Sequence, residues 1–162
     1  MRFKVRLAIR SVAVPTVVFP ALVLLLAVPS CRAAAGDVIL DSQGIAQLEA
    51  RAASANPREQ CFLYTELIHN MTEMAGKQML DGDVEHASQT LKRVEQYAHL
   101  IHMGLARDTK RLKNAEMLMH KTTYRLSGYL HAASSEDKET LEATLKQLDH
   151  VQGELLDQVF SH

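Results

Sequence analysis

The chain has 162 residues, a formal net charge of −1, no tryptophan and few aromatic residues. That length suits one ordinary domain, and the charge balance lacks the basic excess that a nucleic-acid partner demands.

The amino-terminal stretch is predicted to be an export signal. Arg2, Lys4, Arg6 and Arg10 precede an apolar core that ends in Ala21 to Val28. Pro29 and Ser30 follow, and Ala33-Ala34-Ala35 places small residues at the −3 and −1 positions of a cut before Gly36. Residues 1–35 are therefore expected to be removed, leaving 36–41 as a flexible arm and 42–162 as one helical domain in the periplasm or exterior of a bacterium. Two alternatives stand beside this. Val12 to Val28 holds Thr16 as its one polar residue and could be kept as an anchor, although Pro15, Pro20 and Pro29 oppose a stable spanning helix. Val28-Pro29-Ser30-Cys31 resembles a lipobox, which would make Cys31 a lipid attachment site, with Pro29 departing from the residue usual there.

Removing 1–35 takes away five basic residues and no acidic one, so thirteen basic residues face nineteen acidic ones and the charge becomes −6. This again excludes nucleic acid and anionic surfaces as partners. Pro57 is the one remaining proline, glycine is scarce, and helix-forming residues dominate. No β-hairpin signal occurs. The fold class is all-α.

In chain order, the first helix is expected over Ser42 to Ala55 with Ile45, Leu48 and Ala52 on one face. It stops at Asn56-Pro57, because the residue before a proline is pushed out of the helical region. The same dipeptide starts a second helix, with Asn56 as N-cap, Pro57 at N1 and Glu59 at N3. That helix should run to about Leu80 and turn Tyr64, Leu67, Ile68, Met71, Met74, Ala75 and Met79 inward. Asp81-Gly82-Asp83 is a turn, with Gly82 free to take positive φ and Asp83 placed to cap the next helix.

From Val84 a heptad-like seam runs through Ala87, Leu91, Val94, Ala98, Ile101, Leu105, Leu112, Ala115, Met119, Leu126, Tyr129 and Ala133, interrupted by Asp108 and Thr122. The phase survives the step from Leu105 to Leu112, and Gly104 alone is a weak breaker. The expectation is one long central helix over about 84–133, flanked by antiparallel helical hairpins. Its rival is a break near Arg107-Asp108-Thr109, which gives an up-down four-helix bundle. Ser134 to Asp137 then ends that segment and caps a last helix with Leu141, Leu145, Leu148, Leu155 and Val159 on one face. Tyr97, Leu100, Met103, Met117 and Tyr124 form a second, sparser apolar stripe, which a homodimer could bury.

The stretch from Met71 to Ala98 resembles a tetratricopeptide unit, a helical protein-binding repeat, at Gly82-Asp83, Ala87, Leu91 and Val94. It departs from that motif at Met71, Met74-Ala75 and Gln78. No copy follows 34 residues on, where Glu116 stands in place of Gly82 and Lys121 in place of Ala87. A packed α-hairpin produces the same pattern.

Metal chemistry has two sources in the sequence. Glu66 and His69 are spaced i, i+3, as in di-metal carboxylate bundles, but the second such pair is absent: Glu95/His99 and Glu116/His120 are spaced i, i+4. A soft group of His69, Met71, Met74, Met119 and His120 would suit copper, and a histidine–methionine pair could hold haem. Methionines at this spacing also serve as core filler. Cys61, the one cysteine after the cut, is either a small buried hydrophobe or, one turn into a helix, a thiol whose pKa the helix dipole lowers. Arg107, Asp108, Lys110, Arg111 and Lys113 make a basic middle, either a solvated face or a docking patch for an acidic partner. No catalytic motif or phosphate loop occurs. The expectation is a non-enzymatic binding or scaffolding module without a cofactor, whose partner is a protein; the alternative is a periplasmic copper- or haem-binding bundle.

Overall fold

Helix boundaries in this protein are set by local chemistry. The computed structural model describes residues 39–105 and 109–161, and within them runs α1 (Ser42–Ser54), α2 (Pro57–Leu80), α3 (Val84–Gly104), α4 (Leu112–Ala132) and α5 (Ser135–Phe160), with no strand among the described residues. The chain is all-α, as its composition predicts. The expected export signal, anchor, lipid site and cut lie outside the described residues, as do residues 36–38 of the expected arm. The described residues belong to a single compact unit, Gly36–His162.

Asp41 caps α1 by accepting from the Gly44 backbone N–H at 2.7 Å. Ala55 and Asn56 are extended ahead of Pro57, and the Asn56 side chain accepts from the Arg58 N–H, a cap worth about 1 kcal/mol. At the far end of α2, Asp83 N–H bonds Gln78 C=O and Gly82 N–H bonds Met79 C=O, with Gly82 at φ +79. This is a Schellman close, and it needs a residue without a Cβ at that left-handed position. Asp83 occupies the cap position of α3 but spends its carboxylate on His86 Nδ1 at 2.7 Å rather than on backbone.

The long central helix expected over 84–133 is two helices. α3 stops at Gly104, Leu105 is extended at ψ 115, and Arg111 enters α4 in the left-handed region at φ 58. Two contacts offset that unfavourable backbone. The Lys110 N–H bonds Arg58 C=O at 2.8 Å, and the Arg111 guanidinium lies 3.4 Å from the centre of the Phe62 ring. Both anchor the start of α4 to the start of α2.

The resulting topology is an up-down-up-down bundle with one diagonal step. α2 packs on α3 and α4, α5 packs on α3 and α4, α1 packs on α2, and α3 and α4 do not touch among the described residues. Cross-links fix direction: Glu73 meets Arg125 and His69 meets Thr122, so α2 and α4 run parallel, while Glu95 meets Thr144 and His102 meets Glu154, so α3 and α5 run parallel. Two hairpins, α2–α3 and α4–α5, therefore lie side by side in the same orientation. Their shared core holds Leu67, Ile68, Met71, Leu91, Ile101, Met119, Leu126, Leu141, Leu148 and Leu155, each worth roughly 1.5–3 kcal/mol by removal from water. No described helix is long and apolar enough to cross a membrane.

Candidate functional site

α4 carries an outward face with two large exposed apolar side chains. Leu112, Ala115, Met119, Thr122 and Leu126 are buried, which turns the opposite side to solvent. There Lys113, Met117, Lys121, Tyr124 and Gly128 follow at steps of four, four, three and four, one stripe on the helix surface. Met117 is 59% exposed and Tyr124 75% exposed. Below them lies a depression of about 500 Å³ lined by Tyr124, Arg125, Ser127, Gly128, Tyr129 and His131, with open space where a side chain at Gly128 would stand. Of the expected second stripe, Leu100, Met103, Met117 and Tyr124 are exposed. Tyr97 is instead covered: it stacks on Tyr64 at 5.7 Å and donates to Glu49 of α1 at 2.7 Å, and burial with that bond pushes its phenol up to about 12.

The inner edge of this face is a buried polar network between α2 and α4. Arg125 donates twice to Glu73, from Nε and from a terminal nitrogen, both at 2.7 Å, and the Tyr129 hydroxyl donates to Glu73 at 2.9 Å. The Glu73 side chain is 5% exposed. The Arg125 hydrogen bonds hold its carboxyl below the ordinary range against the opposing effect of burial, while burial raises the Tyr129 phenol. Gly76 makes room for the network: a Cβ there would collide with the Tyr129 ring. One turn down, His69 Nδ1 pairs with Thr122 Oγ1 at 3.0 Å, which accounts for a polar residue in the α4 seam.

On the α3/α5 side the imidazoles gather at the surface. His102 Nδ1 lies 2.5 Å and His150 Nε2 3.5 Å from the same Glu154 oxygen. The two rings are 5.8 Å apart, and His99 stacks on His102 at 6.1 Å. Ligand-type atoms of His102, His150 and Glu154 all fall within 4.8 Å of one another. Sequence patterning did not single out this trio. Its trace was local: His150 and Glu154 four apart, His99 and His102 three apart, each pair on one helical face.

The nominated soft ligands go elsewhere. Met71 and Met119 are fully buried in the apolar core and Met74 packs against it. His69 turns into the α2/α4 seam, whereas His120 accepts or donates across the α4/α5 seam to Gln152 at 3.0 Å. The i, i+4 pairs also find other partners, with Glu95 taking the Thr144 hydroxyl at 2.8 Å while His99 stacks on its neighbour. Cys61 is buried, and burial pushes its thiol up to about 12, so it stays protonated and unreactive despite the helix start. In the basic middle, Lys110 pairs with Glu59 at 3.1 Å and Arg111 sits on Phe62, which leaves Lys113 on the outer face of α4; Arg107 and Asp108 lie outside the described residues.

The chain matches no family model, no curated protein and no solved structure, so its function rests on this geometry.

Proposed function

We propose that the protein is an exported, non-enzymatic binding module whose partner is a protein, and that the outer face of α4 receives an amphipathic segment bearing acidic residues. The observation that carries the reading is the pair of large apolar side chains Met117 and Tyr124, both more than half exposed, with Lys113 one turn before Met117 on the same face. Large apolar side chains facing water beside a lysine favour a partner that covers the former and neutralises the latter. The charge fits: this face is basic on a chain that becomes −6 after the expected cut. The neighbouring depression at Gly128 gives room for one protruding side chain.

The test uses a fluorescently labelled helical peptide with an apolar stripe flanked by aspartate and glutamate, and a control with lysine flanks. Saturable binding of the acidic peptide, weakened by salt and lost in Met117→Glu and Tyr124→Glu, is expected. Equal binding of both peptides, or unchanged binding by Tyr124→Glu, would overturn the reading. Self-association abolished by the same substitutions would replace the partner with a second copy of this chain. Export is checked separately by mass spectrometry, which should find an amino terminus at Gly36 rather than a lipid-modified Cys31 or an intact Met1.

A further inference from the structure

The trio on the α3/α5 seam invites a different question from the α4 face. Two imidazoles and a carboxylate from two helices converge there, with ligand-type atoms all within 4.8 Å of one another. Two imidazoles with one carboxylate is a set that zinc accepts while keeping a position open to water. His150 and Glu154 approach from one face of α5, and His102 reaches across from α3.

The distances bear on this quantitatively. Around a tetrahedral ion with ligands at 2.0–2.1 Å, neighbouring ligand atoms stand about 3.4 Å apart. The His150–Glu154 separation of 3.5 Å already matches. The His102–Glu154 separation of 2.5 Å is that of a direct contact and must open by less than an ångström. Both histidines are exposed, so no core packing resists that motion.

A second observation concerns Glu154 itself. Although its side chain is 25% exposed, the Oε2 atom is buried and has no hydrogen-bond partner among the described residues, while Oε1 serves both histidines. A buried carboxylate oxygen without a donor lacks the compensation that such groups ordinarily find.

We propose that His102, His150 and Glu154 bind one divalent transition-metal ion of the zinc class, with water completing the shell. The ion replaces the direct contact between His102 and Glu154 and ties the carboxyl-terminal end of α3 to α5. This site is independent of the α4 face and of any partner bound there.

The experiment is calorimetric titration of the chelator-treated, full-length purified protein with zinc chloride, with far-UV circular dichroism confirming that each variant is folded. One ion per chain is expected, with affinity falling at least about tenfold in His150→Ala and in Glu154→Gln, and unchanged in His131→Ala. Side-chain NMR should show the His102 and His150 ring resonances shifting on titration while that of His69 stays in place. No zinc binding by the folded wild-type protein would overturn the proposal. Binding that persists in His150→Ala and Glu154→Gln, or that is lost in His69→Ala or His120→Ala instead, would overturn it as well.

Discussion

The α2/α4 and α3/α5 seams share a plan, parallel helices taken from successive hairpins, but they treat their polar groups in opposite ways. At α2/α4 the carboxylate of Glu73 is buried and saturated by Arg125 and Tyr129, and a glycine at 76 lets the tyrosine ring reach the α2 backbone. At α3/α5 the imidazoles of His102 and His150 stand in solvent around a half-used carboxylate. The difference follows from burial. A charge withdrawn from water must be fully paired, and a fully paired group is locked to its register. A charge left at the surface keeps the freedom to exchange a proton for another ligand. The α3/α5 seam has an inner polar pair of its own, the buried Thr144 hydroxyl donating to Glu95 at 2.8 Å, so the contrast lies at its outer edge, where His102 and His150 face water.

Removing one side of the buried network should have the largest effect. Glu73→Ala leaves Arg125 and Tyr129 without their acceptor and is expected to destabilise by about 3 kcal/mol in urea unfolding, the low end for a buried pair because Arg125 is half exposed. The same carboxylate gives stability an acid dependence. Its folded pKa lies below the unfolded value, so its contribution is present above the unfolded pKa and is lost as pH falls through the folded one. Unfolding free energy should drop as the pH falls through and below about 4.3, the ordinary glutamate value, and the drop should be smaller in Glu73→Gln.

Two glycine substitutions should then move stability in opposite directions. Gly76→Ala drives a methyl into the pinned Tyr129 ring and should cost about 2 kcal/mol in thermal unfolding, outweighing the helix-propensity gain. Gly153→Ala, in the interior of α5 with open space around it, should stabilise by about 0.7 kcal/mol. Equal effects from the two would remove the distinction between the seams. The smallest effect is expected from His102→Ala, which in metal-free protein should change stability by less than about 0.5 kcal/mol, since its ring is exposed and its bond to Glu154 is at the surface. A large loss there would mean that the α3/α5 cluster holds the fold together after all.

Much of the architecture was legible because it depends on neighbours in sequence. Asn56-Pro57 separates α1 from α2 and Gly82 closes α2, each through backbone restrictions that act within a few residues. Ile45, Leu48 and Ala52 are buried, as are Ala87, Leu91, Val94, Ala98 and Ile101, because amphipathic spacing reports which face leaves water. The same spacing misled at the centre of the chain. Apolar periodicity records burial, not continuity, and α3 and α4 look into one shared core from diagonal positions, so the seam from Leu105 to Leu112 keeps its phase across a break.

By itself, then, the sequence determined an all-α domain, its helix ends outside the centre of the chain and most of its core, since these follow from dihedral preference, capping and hydrophobic period. Which helices become neighbours was decided only in three dimensions. The diagonal step after α3 sets α4 beside α2 and α5 beside α3, which joins Glu73 to Arg125 and His102 to Glu154. Each of those partners lies 52 residues along the chain from the other, a separation over which local spacing carries no information, and only the packing of one hairpin against the next brings them together.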